Sequence, residues 1–69
     1  MDELRSIGVA IRAARKQAGL TQKQLAELVE LGERTVRDIE RGAEGTSIGA
    51  VLRTANAVGL SVSTSVSRS

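Results

Sequence analysis

The chain contains no Phe, Trp or Tyr, and no Cys, His or Pro. Any core must therefore be packed from Leu, Ile, Val and Ala, with no large ring to anchor it and no disulfide or thiolate metal site to staple it. Sixty-nine residues allow one domain, and folding at this size hides only about 60% of the surface that the unfolded chain exposes. Hydrophobic residues make up 41% of the chain and nine of them are alanine. The core is thin, and a second copy of the chain is a natural way to complete it. The same absences narrow the function. Without His or Cys there is no Ser-His-Asp triad, no imidazole acid–base chemistry and no zinc site. Without aromatic rings there is no stacking platform for single-stranded nucleic acid. No enzyme and no cofactor is expected; a binding module is.

Glycines and periodicity divide the chain into four predicted helices. The first spans residues 3–18, with Asp2 as its N-cap and Gly19 as its stop. Leu4, Ile7, Ile11, Ala14 and Ala18 step by three and four, which is one helical face. The second spans 22–29, started by a capping box in Thr21-Gln22-Lys23-Gln24 and burying Leu25, Leu28 and Val29. The third spans 33–41 and ends at Gly42; the fourth spans 47–58 and ends at Gly59. The fold class is all-α, with a domain over residues 1–59. In residues 60–69 the period changes to two, as Leu60, Val62, Thr64 and Val66 alternate with serines. Two readings stay open there. One is a disordered serine tail. The other is a strand whose hydrogen-bonding partner is the same strand of a second subunit, since a lone strand leaves its backbone groups unpaired. No apolar run approaches a signal peptide or a membrane span, so a soluble, cytoplasmic protein is expected.

Net charge is only +2, so any nucleic-acid signal lies in how the charges are distributed. The segment Thr21–Gly42, TQKQLAELVELGERTVRDIERG, resembles the helix-turn-helix of the Cro/repressor-type, or XRE-like, family. The likeness rests on Gly19-Leu20-Thr21-Gln22, Leu25-Ala26, Leu31-Gly32, Val36, Ile39 and Glu40-Arg41-Gly42 at their spacings. It extends upstream to Ile11–Lys16 and downstream to Ser47–Leu60. The resemblance implies a four-helix, lambda-repressor-like domain that binds double-stranded DNA as a homodimer on a palindromic operator. One position departs from the family pattern: Glu30 stands where the turn usually has glycine. A left-handed backbone there costs a non-glycine residue about 1 kcal/mol.

On the third helix, Val36, Ile39 and Glu40 share one side, while Arg34, Arg37, Asp38 and Arg41 fall opposite, with Glu33 at the edge. Taken alone, such a row is the solvated face of an ordinary surface helix. The resemblance makes it the helix that enters the major groove, with Glu33, Arg34, Arg37 and Asp38 as base readers. Arginine pairs bidentately with guanine and carboxylates accept from cytosine amino groups, so a half-site containing G·C pairs is expected. Phosphate contacts are expected from Arg12 and Lys16 on the first helix, Gln22 and Lys23 on the second, and Thr35 and Arg41 on the third. Gln22 stands at a helix N-terminus, where free N–H groups favour an anion. Arg5 continues the basic stripe of the first helix, seven residues before Arg12.

Arg15 and Glu40 lie against apolar faces, where isolated charges are costly. The family has an ion pair at these positions, which implies a structural role for both. The layout from Thr46 to Val62 looks closest to HipB-type antitoxins, in which a strand follows the four helices and pairs across the dimer. Leu60, Val62, Thr64 and Val66 are the dimerisation residues on that reading. Three functions remain open: a plain autoregulating repressor, an antitoxin that also binds a HipA-like toxin kinase, and a protein-interaction module that has kept the scaffold without specific DNA binding. Nucleoid association follows from the first two.

Overall fold

The computed structural model describes residues 3–60. Four helices follow one another: α1 Glu3–Gln17, α2 Gln22–Val29, α3 Glu33–Arg41 and α4 Ile48–Ala57. α3 packs against both α1 and α2, and α4 closes the far side of α2. Among the described residues no helix is long and apolar enough to cross a membrane.

Local chemistry sets where α2 and α4 start. The Thr21 hydroxyl accepts from Gln24 N–H at 3.0 Å while the Gln24 side chain accepts from Thr21 N–H at 2.8 Å, so α2 opens with a reciprocal capping box. Ser47 caps α4 by accepting from Ala50 N–H at 3.1 Å. The expected Asp2 cap of α1 lies outside the described residues.

All four helices end in the same way. Leu20, Leu31, Ala43 and Leu60 each send an N–H back five residues, to Arg15, Ala26, Asp38 and Ala55 carbonyls at 3.1, 2.9, 3.0 and 2.9 Å. This closure requires a left-handed residue just before the returning one. Gly19, Gly42 and Gly59 supply it with φ of 76°, 71° and 88°. In the second helix Glu30 supplies it, with φ 61° and ψ 42°. The turn is thus the same shape as its glycine counterparts, and its side chain carries the steric cost. Glu30→Gly is expected to stabilise the domain by about 0.5–1 kcal/mol, the relief of left-handed strain less the added freedom of the unfolded chain. Urea denaturation checks this, and a loss of stability would show that the Glu30 side chain contributes more than its backbone costs.

Ile11, Leu25, Val36, Ile39, Val51 and Ala55 form the centre of the core, with Ala26 and Val29 beside them. Two expectations need correcting. Leu28 is 61% exposed, and Ala26 takes the core position instead. α2 is squeezed between α3 and α4, so its buried face centres between Leu25 and Ala26, about 110° from Leu28 at 100° per residue. Ala18 is exposed as well, because α1 ends at Gln17 and the chain turns away there. Leu60 packs on the core cluster and its N–H closes α4, so it belongs to the helical domain. The expected strand positions Val62, Thr64 and Val66 lie outside the described residues.

Periodicity alone gave no role to Gly8. It is buried where α1 crosses α3, and a Cβ there would come within 2.5 Å of the Ile39 carbonyl oxygen and 2.6 Å of that of Glu40. Only glycine permits this approach, and it brings Arg15, two turns further along α1, to the end of α3. Arg53 ties α4 to α2: its Nη1 donates to the Val29 carbonyl at 3.0 Å, satisfying an oxygen at the open end of α2.

Candidate nucleic-acid interface

Glu40 anchors the region where α1, the start of α2 and α3 meet. Arg15 Nε donates to Glu40 Oε2 at 2.6 Å and Arg15 Nη2 to Oε1 at 3.1 Å, a two-pronged pair shielded from solvent. The remaining prong, Arg15 Nη1, donates to the Leu20 carbonyl at 2.9 Å and so fixes the loop that leads into α2. Gln22, the first residue of α2, reaches the same carboxylate: its Nε2 donates to Glu40 Oε1 at 3.1 Å. Three segments of the chain are thereby locked around one carboxylate.

Outside this knot lie two shallow clefts that share Arg12 and Glu40. One, of about 280 Å³, is lined by Arg12, Gln22, Arg37, Glu40 and Arg41. The other, of about 320 Å³, is lined by Val9, Arg12, Ala13, Lys16 and Glu40. Arg12 joins them into one basic path running from α1 to the outer face of α3. The structure therefore brings together Arg12, Lys16, Gln22, Arg37 and Arg41, which the sequence distributes over three helices. Lys23 is exposed on α2 and Thr35 is half-buried on α3. Arg5 stands at the opposite end of α1, where its backbone passes Gly42.

α3 turns Val36 and Ile39 into the core and leaves Glu33, Arg34, Arg37 and Arg41 exposed. Asp38 is half-buried, which makes it less accessible than the helical wheel implies. Arg37 Nη2 lies 3.7 Å from Glu33 Oε2, one turn back along the helix, so these two side chains steady one another at the exposed face. Gln22 also differs from the sequence reading, which gave it a helix N-terminus and an anion but no protein partner. Its bond to Glu40 joins residues 18 apart, which no local pattern signals. Val9, 61% exposed beside Arg12 and Lys16, gave no sequence signal as a cleft residue.

A short helix entered through a capping box, a tight left-handed turn and a second helix with a polar outer face form a helix-turn-helix. Residues 6–65 match the family described as a helix-turn-helix domain. The chain belongs to that family. Its members are DNA-binding and not enzymes. Among curated proteins this helix-turn-helix chain is similar to the immunity repressor protein of Bacillus phage phi105, with 40% identity over 58 residues. That match covers 84% of the chain and 40% of the phage protein, so the chain spans well under half of its relative's length. Among solved structures it is similar to a chain of a HipA–HipB–O2–O3 complex, with a TM-score of 0.78 over 99% of this chain and 96% of that one. Identity there is 19%, so the likeness is one of fold.

Proposed function

We propose that this helix-turn-helix chain is a transcriptional regulator, a repressor, that binds an inverted-repeat operator as a homodimer in the cytoplasm, associated with the nucleoid. The observation that carries this reading is the joining of two surfaces on one rigid body. The exposed face of α3 holds Glu33, Arg34 and Arg37, and the basic path of Arg12, Lys16, Gln22 and Arg41 runs beside it. Side chains on the helix face suit base edges in the major groove, and the flanking cations suit phosphates. In this reading Arg34 and Arg37 read guanine and Glu33 and Asp38 accept from cytosine. Arg12, Lys16, Lys23, Thr35 and Arg41 position the domain on the backbone.

The two roles separate experimentally. Arg34→Ala and Arg37→Ala should each cost about 1–3 kcal/mol per half-site and relax preference at one base pair. Lys16→Ala should weaken all sequences alike. Binding-site selection on randomised duplexes measures both effects, and if all three variants lose affinity without changing preference, the readers have been misassigned.

The dimer follows from the geometry of recognition. One subunit covers one half-site, and a fixed spacing of about one helical turn requires two. Val62, Thr64 and Val66 are assigned to an antiparallel strand paired with its twofold-related copy, since their alternation presents one apolar face; Leu60, packed on the core, leads into it. Likeness of fold to a HipB chain supports a second reading, in which the same protein is the antitoxin of a HipA-like kinase. A gene for such a kinase beside this one discriminates between the two, and without it the plain autoregulating repressor stands.

A further inference from the structure

The bond from Gln22 to Glu40 is surplus to the fold around it. Thr21 and Gln24 already cap α2, and Arg15 already engages both oxygens of Glu40. Gln22 nevertheless lines the cleft formed with Arg12, Arg37 and Arg41, where an anion would sit. An ionised carboxylate can only accept, so the end of the Gln22 amide that faces it has to be the NH2 group. One N–H of Nε2 is used on Glu40 Oε1 and the second is left for another acceptor. Glu40 also lines this cleft, but the Arg15 guanidinium matches its charge through two hydrogen bonds. The carboxylate can thus orient the amide without opposing an incoming phosphate with an uncompensated negative charge.

From this geometry we propose that Glu40 is a positioning residue for DNA-phosphate binding: it holds the Gln22 amide so that its second Nε2–H is a preset donor to a phosphate in the cleft, while Arg15 neutralises the carboxylate. The inference rests on the DNA-binding reading above and deepens it. Preset donors gain affinity because the side chain loses little freedom on binding. Lysine or arginine at position 22 would bring charge but not this fixed direction.

Phosphate contacts are independent of sequence, so a short mixed-sequence duplex at low salt serves as the probe. In the unmodified full chain, NMR resolves the two Nε2 protons of Gln22. Adding the duplex is expected to shift one of them and leave the other, held on Glu40, where it was. If both move together, or neither moves while the α3 amides respond, the proposal is overturned. A double-mutant cycle gives an independent readout. Gln22→Met and Glu40→Gln should each raise Kd about tenfold, a difference of about 1.4 kcal/mol, and the double variant should do no worse than either. Multiplying effects would instead mean that Glu40 acts only on the fold. Arg12→Ala should multiply with both, since its contact is separate. If the duplex shifts no resonance anywhere in the protein, DNA binding itself fails, which is distinct from a failure of orientation. Should Glu40→Gln unfold the chain, the two-proton measurement still decides the matter.

Discussion

Arg15→Ala and Glu40→Ala are each expected to lower stability by about 3–5 kcal/mol, enough to unfold much of the population of so small a domain. The size of the effect comes from what is left behind. Removing Arg15 leaves a buried carboxylate with only the Gln22 amide for company, and frees the Leu20 carbonyl that positions the start of α2. Removing Glu40 leaves a buried guanidinium whose remaining partner is the Leu20 carbonyl. The side chains are 9% and 3% exposed, so water cannot take over the lost bonds without opening the contact between α1 and α3. Replacing both with apolar residues of similar size should recover most of the loss, because the two desolvation costs disappear together with the pair. Urea denaturation of the two single variants and the double one makes the comparison. Single-variant losses below about 1 kcal/mol would show the pair to be no stronger than an exposed surface contact.

Affinity for the operator is expected to fall about 10⁴-fold between 50 and 200 mM salt, with a slope of log K against log salt near −7. Arg12, Lys16, Lys23 and Arg41 are exposed cations, and Arg12, Lys16 and Arg41 line the path beside α3. Two subunits with four such contacts each displace about eight counterions, each contributing about 0.9 to the slope. The interior pair Arg15–Glu40 adds nothing to this number, since its charges are already matched within the protein. A titration by fluorescence anisotropy measures the slope, and a value shallower than −3 would remove the electrostatic account. Removing residues 61–69 tests the dimer in the same experiment. With the two half-sites uncoupled, the slope should drop to roughly half and sedimentation should shift toward monomer, with helix content nearly unchanged. A truncated chain that remains as tight a dimer would place the interface on the helices.

Much of this architecture was legible before the coordinates, and the legible parts share a physical basis. A cap or a stop is decided by residues within five positions of one another. Thr21 with Gln24, and Gly19, Gly42 and Gly59 at helix ends, could all be read locally, and the start of α2 and the end of α3 follow from them. Even the anomaly at Glu30 was visible, because a left-handed turn demands the same backbone whatever residue occupies it. The polar row on α3 was equally plain from its period. Leu28 was misjudged, and Asp38 is less exposed than its wheel position implied, because a helical wheel shows which residues share a face but not how many neighbours press on it. α2 is packed from two sides, which rotates its buried face toward Ala26 and leaves Leu28 outside.

The sequence by itself therefore determined the four helices, the turn between α2 and α3, the side of α3 that meets solvent and the thinness of an aliphatic core. The tertiary structure alone decided the contacts that reach across the chain. Arg53 finds the Val29 carbonyl 24 residues away, and Gln22 finds Glu40 across 18. Gly8 earns its place only where α1 crosses α3. Helical period and capping arise from bonds between near neighbours and are written in adjacent letters. The direction in which a side chain finds its distant partner depends on how whole helices are laid against each other, and that is settled only when the core closes around Ile11, Leu25 and Ile39.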